Sequence, residues 1–403
     1  MRLSRADRSI VSDWWFTIDR QLVAAVYVLL MTGLVLSLAA SPAIALRLGL
    51  GTYHFVERHV VFLALAALLM LLTSLLQPGQ IRRVSFVLLV AMALLMVLVL
   101  AFGPEVNGAR RWIGVLGQRL QPSELMKPAF VVVSAWLFAE EPRRPDMPVL
   151  SLAVGLYLLM AALLVLEPDI GQTLLVTLVW GGLFFLSGQP LKRVFGLVAV
   201  AGLALVAAYL GLGHVRSRFD RFVNPDSGDT YQMDRARQSF IEGGWFGRGP
   251  GEGTIKTLLP DAHTDYILAV VAEEYGVLTC LVLVALFGFI VFRAIFRIAA
   301  EPAGFTRNAV YGLVMLFAFQ ALINMGVNVG LLPAKGMTLP FISYGGSSLI
   351  GMALTMGLLI GLTRRHARSL RPRNATFLGS DEIEDAAGAK GGLAAATINR
   401  GKG

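Results

Sequence analysis

The sequence predicts an all-α polytopic membrane protein: a bundle of about ten transmembrane helices with a large loop between the seventh and the eighth. Three observations predict it. Of 403 residues, 56% are hydrophobic and only 15% charged, with a mean hydropathy of +0.68, a balance that water-soluble globules do not carry. Apolar runs of roughly 18 to 23 residues recur from end to end, each long enough to cross a ~30 Å hydrocarbon core as a helix. Lys and Arg concentrate in alternate loops, which orients such a bundle.

Residues 1–21 read as a cytoplasmic segment whose WWF at 14–16 sits at the membrane interface, where aromatic rings prefer to lie. Spans are expected near 22–45, 59–76, 84–102, 122–139, 148–166, 170–186, 194–212, 265–292, 308–330 and 345–363. The first is too long for a cleavable signal and reads as permanent. Cys280, the single cysteine, falls inside a span with no partner for an internal disulfide. Basic residues at 82–83, 143–144, 192–193, Arg293, Arg297, Arg307 and the RRHARSLRPR tail favour both termini inside. The outer loops NGARRW (107–112) and 213–262 are also rich in arginine, which a bilayer-side anion would explain. The loop 213–264 contains aromatic residues throughout and is expected to be structured and periplasmic. Its GGWFGRGPGEG string (243–253) lacks the Lys-Ser/Thr ending of a phosphate loop and reads as a tight turn near a ligand. Residues 22–364 thus form the membrane domain, and 365–403 a mostly disordered cytoplasmic tail.

Ionisable residues in or beside spans are costly and are functional candidates. In QPSELMKP (121–128), Glu124 and Lys127 stand three apart and can pair, either to orient the helix or to leave Lys127 reaching a bound anion. In LEPDIGQT (166–173), Asp169 can cap the next helix while Glu167 has no such duty; a capped hairpin and a cation site are both open. His263, Thr264 and Asp265 sit at the mouth of the eighth span. Glu273 and Glu274 lie about 12 Å deeper at 1.5 Å per residue, on other faces, and read as structural groups bonding neighbouring helices. In the stretch 324–348, Asn324 and Asn328 share a helix face, Pro333 and Pro340 break the helix, and Tyr344–Ser348 restarts it, so a re-entrant structural segment and a lipid-substrate wall both fit.

The strings NGARRWI, QPSELMKP, EPDIGQT, LPDAHTDYILAVVAEEYG and PAKGMTLPFISYGGSS, in this order over about residues 20–365, resemble the signatures of the SEDS family (shape, elongation, division and sporulation), and the division-type branch more than the elongation-type one. The loop string NPDSGDTYQ (224–232) departs from the aromatic residue that many relatives carry after Asn-Pro. The resemblance implies a septal peptidoglycan glycosyltransferase that polymerises lipid II into a growing glycan strand at the outer face of the inner membrane. It implies work with a class B penicillin-binding protein, an FtsI-like transpeptidase, among other division-complex membrane proteins, and no nucleic acid. It makes Asp265 the essential acid.

That chemistry suits the residues. A sugar hydroxyl needs a base, and one carboxylate can serve. A lipid diphosphate leaves as a stable anion, so cations rather than a second acid must meet the developing charge. Asp265 is therefore the expected base, with Arg110, Arg111, Lys127, Arg248 and Lys335 as diphosphate ligands and Glu124, His263, Ser343 and Ser347 as further substrate-binding residues. Lysine and a divalent cation (Mg or Mn) at Glu167 and Asp169 are both open for part of that task, and the residues alone do not choose between them. A lipid II flippase is the alternative from another class, and a non-catalytic scaffold a third. The flippase would need polar groups along a full path across the membrane, where stretches such as VLLVAMALLM are apolar.

Overall fold

The computed structural model describes residues 10–364, apart from 48, 107, 116–117, 212, 214–215, 217–230, 260, 303 and 334–335. The expected tail, Lys335 and the NPDSGDT segment of the large loop lie outside the described residues. A short helix α1 (Ile10–Thr17) precedes α2 (Arg20–Arg47), α3 (His54–Ser74) and α4 (Pro78–Phe102). An antiparallel hairpin of β1 (Ile113–Val115) and β2 (Gln118–Leu120) leads into α5 (Pro122–Glu140), α6 (Val149–Leu166), α7 (Ile170–Leu186) and α8 (Leu191–Gly211). After α9 (Tyr231–Gly243) in the large loop come α10 (Ile267–Ile298), α11 (Phe305–Asn328) and α12 (Gly346–Leu362).

Each expected span falls on a helix. Six of them (α2, α3, α4, α6, α10 and α11) are long and apolar enough to cross a membrane. Helices α7 and α12 are equally apolar but have 17 residues each, about 25 Å. Polar residues in α5 lower its hydropathy, and all of those in its first two turns are buried. Large apolar side chains such as Phe86, Leu94, Leu158, Phe195 and Leu203 are exposed on α4, α6 and α8. That is the surface lipid covers, while Glu, Lys, Gln and Asn turn inward. Small residues bring α12 against its neighbours: a Cβ at Gly351 would stand 2.6 Å from the Glu124 carbonyl oxygen, and one at Gly357 would overlap Thr73 Oγ1.

Helix α10 is not continuous. At Gly276 the backbone turns to φ 82° and ψ 167°, splitting the expected eighth span into a short outer segment and a long inner one. The break orphans main-chain groups on both sides, which an apolar surround does not tolerate. The Gly-rich turn after α9 takes them up. Arg248 and Gly249 donate N–H to the carbonyls of Glu273 (2.9 Å) and Glu274 (3.1 Å), and Val277 and Leu278 donate to the carbonyls of Gly244 (2.9 Å) and Trp245 (3.2 Å). A Cβ at Gly276 would overlap the Trp245 carbonyl oxygen.

The two glutamates finish the junction. The Glu273 carboxylate accepts backbone N–H bonds from Thr254 (2.6 Å), Ile255 (2.7 Å) and Lys256 (3.1 Å). Glu274 accepts from the Gly251 N–H at 3.1 Å and pairs with Lys256 Nζ, which also donates to the Ala39 carbonyl at 3.2 Å. Both are structural, as expected, but they bond the extramembrane loop rather than neighbouring helices. The GGWFGRGPGEG turn correspondingly wraps the protein's own carboxylates. The reason is the break at Gly276, which puts Glu273 and Glu274 at the end of a short segment beside the loop.

At the other end of the bundle, ion pairs tie the first and last elements together. Arg293 pairs with Asp19 at 2.8 Å, Arg364 reaches Asp13 at 2.9 Å and the Leu75 carbonyl at 3.1 Å, and Trp14 Nε1 donates to Ser74 Oγ at 2.9 Å.

Glu273→Ala strands three N–H groups, at about 1–3 kcal/mol each where they are buried. It is expected to lower the melting temperature in detergent and to open the 243–256 turn to protease, with Gly276→Ala doing the same. Unchanged melting and cleavage would count against the loop splice.

Candidate active site

One end of the bundle gathers the start of α5, the α6–α7 turn, the turn before α10, the end of α11 and the start of α12. Helices α5, α7, α10 and α12 all begin there, so their positive dipole ends favour negative charge.

Asp265 lies in a turn closed by the Asp261 carbonyl, which accepts from Asp265 N (3.1 Å) and Tyr266 N (3.3 Å). From below, Asn324 and Asn328 each donate to the Asp265 carbonyl at 2.9 Å, and Asn328 Oδ1 caps the Ala269 N–H at 3.1 Å. The expected pairing of these asparagines on one face thus fixes the backbone of the acid and leaves its carboxylate free. Among the described residues no hydrogen bond engages that carboxylate, and Gly336 lies against it. Burial, reinforced by the negative charges of Asp261 and Asp169, lifts its pKa to about 7.

His263, two residues before, packs on Phe55 (4.9 Å between centroids) and Tyr344 (5.4 Å). Its carbonyl accepts the Tyr344 N–H at 2.9 Å. Burial pushes its imidazole down to about 4, so it is neutral at pH 7 and not a cationic phosphate ligand. The Arg58 guanidinium on α3 lies near Tyr344. Arg58 did not figure among the expected site residues; the only signal for it is the ionisable cluster in HFVERHVV, at the mouth of a span.

Asp169 caps α7 through the Gln172 N–H (3.3 Å) and accepts from Gln121 Nε2 (3.1 Å). Arg111 clamps the same turn: its Nε donates to the Glu167 carbonyl at 2.6 Å, a second nitrogen to the Pro168 carbonyl, and Nη1 stands 3.7 Å from Asp169. A quarter of the Arg111 side chain remains exposed. Arg110 is about half exposed and only loosely paired with Glu105, at 3.9 Å. Glu167 is fully buried with neither carboxylate oxygen hydrogen-bonded. Burial, then the charge of Asp169, raises its pKa to about 8 against the opposing pull of Arg111.

Lys127 is fully buried; its Nζ donates to Gln172 (2.8 Å) and Gln320 (3.0 Å) and forms an ion pair with Glu124 at 2.8 Å. Gln172 also donates to Glu124 at 2.7 Å. Buried and held by these three side chains, Lys127 is a bundle cross-link and not an open anion ligand. Arg248 is held by Glu242 and Thr254 in the large loop. Ser343 Oγ accepts the Leu339 N–H at 2.8 Å, and Ser347 Oγ joins Gln121 N (3.0 Å) to the Arg119 carbonyl (3.2 Å), so both hydroxyls brace backbone.

The FtsW/RodA/SpoVE family model, described as cell cycle protein, matches residues 20–368. The chain is 43% identical over 363 residues to a protein of Caulobacter vibrioides named probable peptidoglycan glycosyltransferase FtsW, covering 90% of this chain and 93% of that one. A protein of the same name from Alcanivorax borkumensis is 38% identical over 358 residues, 85% of this chain and 92% of its own. Among solved structures, a chain of a peptidoglycan synthase complex, described as coordinating polymerization and crosslinking, is 29% identical with a TM-score of 0.72, over 87% of this chain and 98% of its own. The rod shape determining protein RodA of Thermus thermophilus is 28% identical with a TM-score of 0.63, over 87% and 97%.

Lys127→Met leaves Glu124 buried without its cation, which costs about 3–5 kcal/mol, while the double change Glu124→Gln/Lys127→Met is expected to recover much of that loss in thermal melts. Equal stability of the single and double variants would return Lys127 to the list of free ligands. The raised pKa of Asp265 gives a second expectation. A carboxyl whose folded pKa lies above its ordinary value costs stability as pH rises from about 4 to about 7. Asp265→Asn removes that cost, so its gain in melting temperature over the parent should be larger at pH 8 than at pH 5.

Proposed function

Because the chain belongs to the FtsW/RodA/SpoVE family of cell cycle proteins, we propose that it is a peptidoglycan glycosyltransferase that polymerises lipid II, with Asp265 as the base. The observation that carries this reading is the pairing of an unbonded carboxylate near pKa 7 with an end of the bundle built to accept anions. A base works best when its pKa lies near the working pH. Asp265 takes the proton of the acceptor sugar 4-hydroxyl as that oxygen attacks the anomeric carbon of the donor. The bond from that carbon to the diphosphate oxygen breaks in the same step, and the configuration inverts. The electron pair leaves on the diphosphate, which Arg110 and the exposed part of Arg111 meet together with the helix N-termini. Lys335, beside Gly336 in the sequence, is a further candidate for that task.

A resident divalent cation does not fit the acids expected to hold it. Asp169 is spent on Gln121, Gln172 and Arg111, and no group of three metal-ligating side chains stands together among the described residues. The polar network ends at Lys127 and Gln320. Below it, Phe130 to Val133, Leu313 and Phe317 are buried and apolar, which favours chemistry at one face over passage of a charged headgroup.

In this reading the chain lies in the bacterial inner membrane at the septum, with both termini cytoplasmic and Asp265 on the outer side. A class B penicillin-binding protein and other division proteins are its partners. The exposed apolar faces of α10 and α11, with the large loop, are the surfaces offered to a partner helix. The loop splice at Gly276 is a route by which that contact could bear on Asp265.

Purified protein with its transpeptidase partner should polymerise fluorescent lipid II, while folded Asp265→Ala should not. The rate is expected to rise with pH through a limb near 7 rather than near 4. Equal polymer from parent and variant would move the base elsewhere or expose a contaminating polymerase. Arg110→Ala should raise KM several-fold, and an unchanged KM would remove it as a diphosphate ligand.

A further inference from the structure

Helix α11 carries three buried amides on one face, Gln320, Asn324 and Asn328, each four residues from the next. Together they hold two separate stretches of main chain. Asn328 Nδ2 donates to the Asp265 carbonyl at 2.9 Å, and Gln320 Nε2 donates to the Thr338 carbonyl at 3.2 Å. Asn324, between them, holds both stretches. Its Nδ2 donates to the Asp265 carbonyl at 2.9 Å and to the Met337 carbonyl at 2.6 Å. An amide NH2 has two hydrogens, one for each carbonyl, and Asn324 Oδ1 faces the other way, toward Asn328 Nδ2 at 3.3 Å. One planar group therefore sets the separation of the Asp265 turn from the stretch that begins at Gly336. Below it, Gln320 Oε1 accepts from Lys127 Nζ at 3.0 Å, so the ladder of amides is footed in the buried ion pair. Beside the clamp, a Cβ at Gly336 would stand 3.7 Å from Asp265 Oδ2, and chain neighbours aside it would meet nothing else within 4 Å among the described residues. Gly336 is exposed and Asp265 partly so, hence the gap over Oδ2 opens outward. With φ at 65°, the backbone of residue 336 favours glycine, which leaves the gap clear.

We propose that Asn324 is a positioning residue: its amide holds the Gly336–Met337 backbone beside Asp265 at the separation that admits the attacking sugar hydroxyl, and Gly336 keeps that slot free of a side chain. This rests on the reading of Asp265 as the base. An acceptor hydroxyl must come within about 2.7–2.8 Å of a carboxylate oxygen to hand over its proton, and a misplacement of ~1 Å costs on the order of 100-fold in rate. Asn328 also steadies Asp265, but only Asn324 ties that residue to the facing stretch. An apolar side chain at 324 would release Met337 and let water reach the carboxylate from the Gly336 side. The charges that bear on the carboxylate, Asp261 in its own turn and Asp169 at the start of α7, would stay in place.

The test is the pH dependence of kcat and KM for polymerisation of fluorescent lipid II by the full chain with its transpeptidase partner. Asn324→Leu should lower kcat by roughly thirtyfold or more while KM stays within about twofold. It should also move the rising limb of the pH profile at least about one unit below its parental position near 7, because an uncovered carboxylate ionises more easily. Asn328→Leu loses its bond to Asp265 and the cap on Ala269 but leaves the Met337 bond intact. It should cost at least as much in melting temperature and leave the limb in place. Gly336→Ala keeps the clamp and puts a methyl group in the slot at an exposed position. It should lower kcat roughly tenfold, and it makes the comparison should Asn324→Leu fail to fold. Parental kcat in folded Asn324→Leu, an unmoved limb, the same limb shift in Asn328→Leu, or parental kcat in Gly336→Ala would each overturn the proposal. An inactive Asp265→Ala beside any of those results would leave the base in place and strike the clamp alone, whereas an active Asp265→Ala would strike both.

Discussion

The rest of the structure depends on how the break at Gly276 is sealed. Interrupting a helix inside an apolar bundle frees N–H and C=O groups where no water is at hand, and the bundle survives because the turn after α9 inserts its own main chain into the gap. Side chains then lock the splice: one carboxylate gathers three backbone N–H groups and another holds Lys256, which in turn reaches α2. The short outer segment of α10 is thereby fixed at both ends, by the loop at Glu273 and Glu274 and by two asparagines at Asp265. A rigid backbone under an unbonded carboxylate is what a base needs if its position is to be set by structure and its reactivity by surroundings.

Charge is handled by the same division of labour. Deep acids and bases cancel one another, as Glu124 and Lys127 do with two glutamines to absorb the remaining donors and acceptors. Shallow groups are left partly open. Arg110 keeps about half of its side chain exposed, and Arg111 spends most of its donors on the α6–α7 turn while keeping one edge exposed. Of the four basic residues expected near the diphosphate and described here, Arg110, Arg111 and Arg248 keep exposed surface, and Lys127 has become a strut.

Much of the fold was legible in the sequence, because hydrophobic length alone marks a span. Span 170–186 coincides with α7, and 345–363 with α12 to within a residue at each end. Asp265 stood out as an ionisable residue at the mouth of a span, and its role came from the family resemblance of the string around it. The break in α10 was not, since both flanks are apolar and a hydropathy reading averages across Gly276. The pair Glu273–Glu274 was its only trace, and their partners come from a loop about 20 residues earlier, at a distance that no helical spacing encodes. Arg58 was missed for a related reason: its relation to Tyr344 exists only once α3 packs beside the start of α12. The hairpin at 113–120, three residues per strand, is too short to leave a pattern.

The ties at the end remote from Asp265 have a consequence for how the chain is made. Asp13 leaves the ribosome well before Arg364, which follows it by 351 positions. At ~5–20 residues per second, this is an interval of some tens of seconds. Asp19 waits similarly for Arg293, 274 positions on. During that interval α1 and the start of α2 have none of these partners, and all the spans through α12 must insert before the ring of ion pairs can close. The pairs that join α1 and the start of α2 to distant parts of the chain are thus among the last ties to form, and their closure reports that the spans from α2 to α12 have been synthesised and inserted.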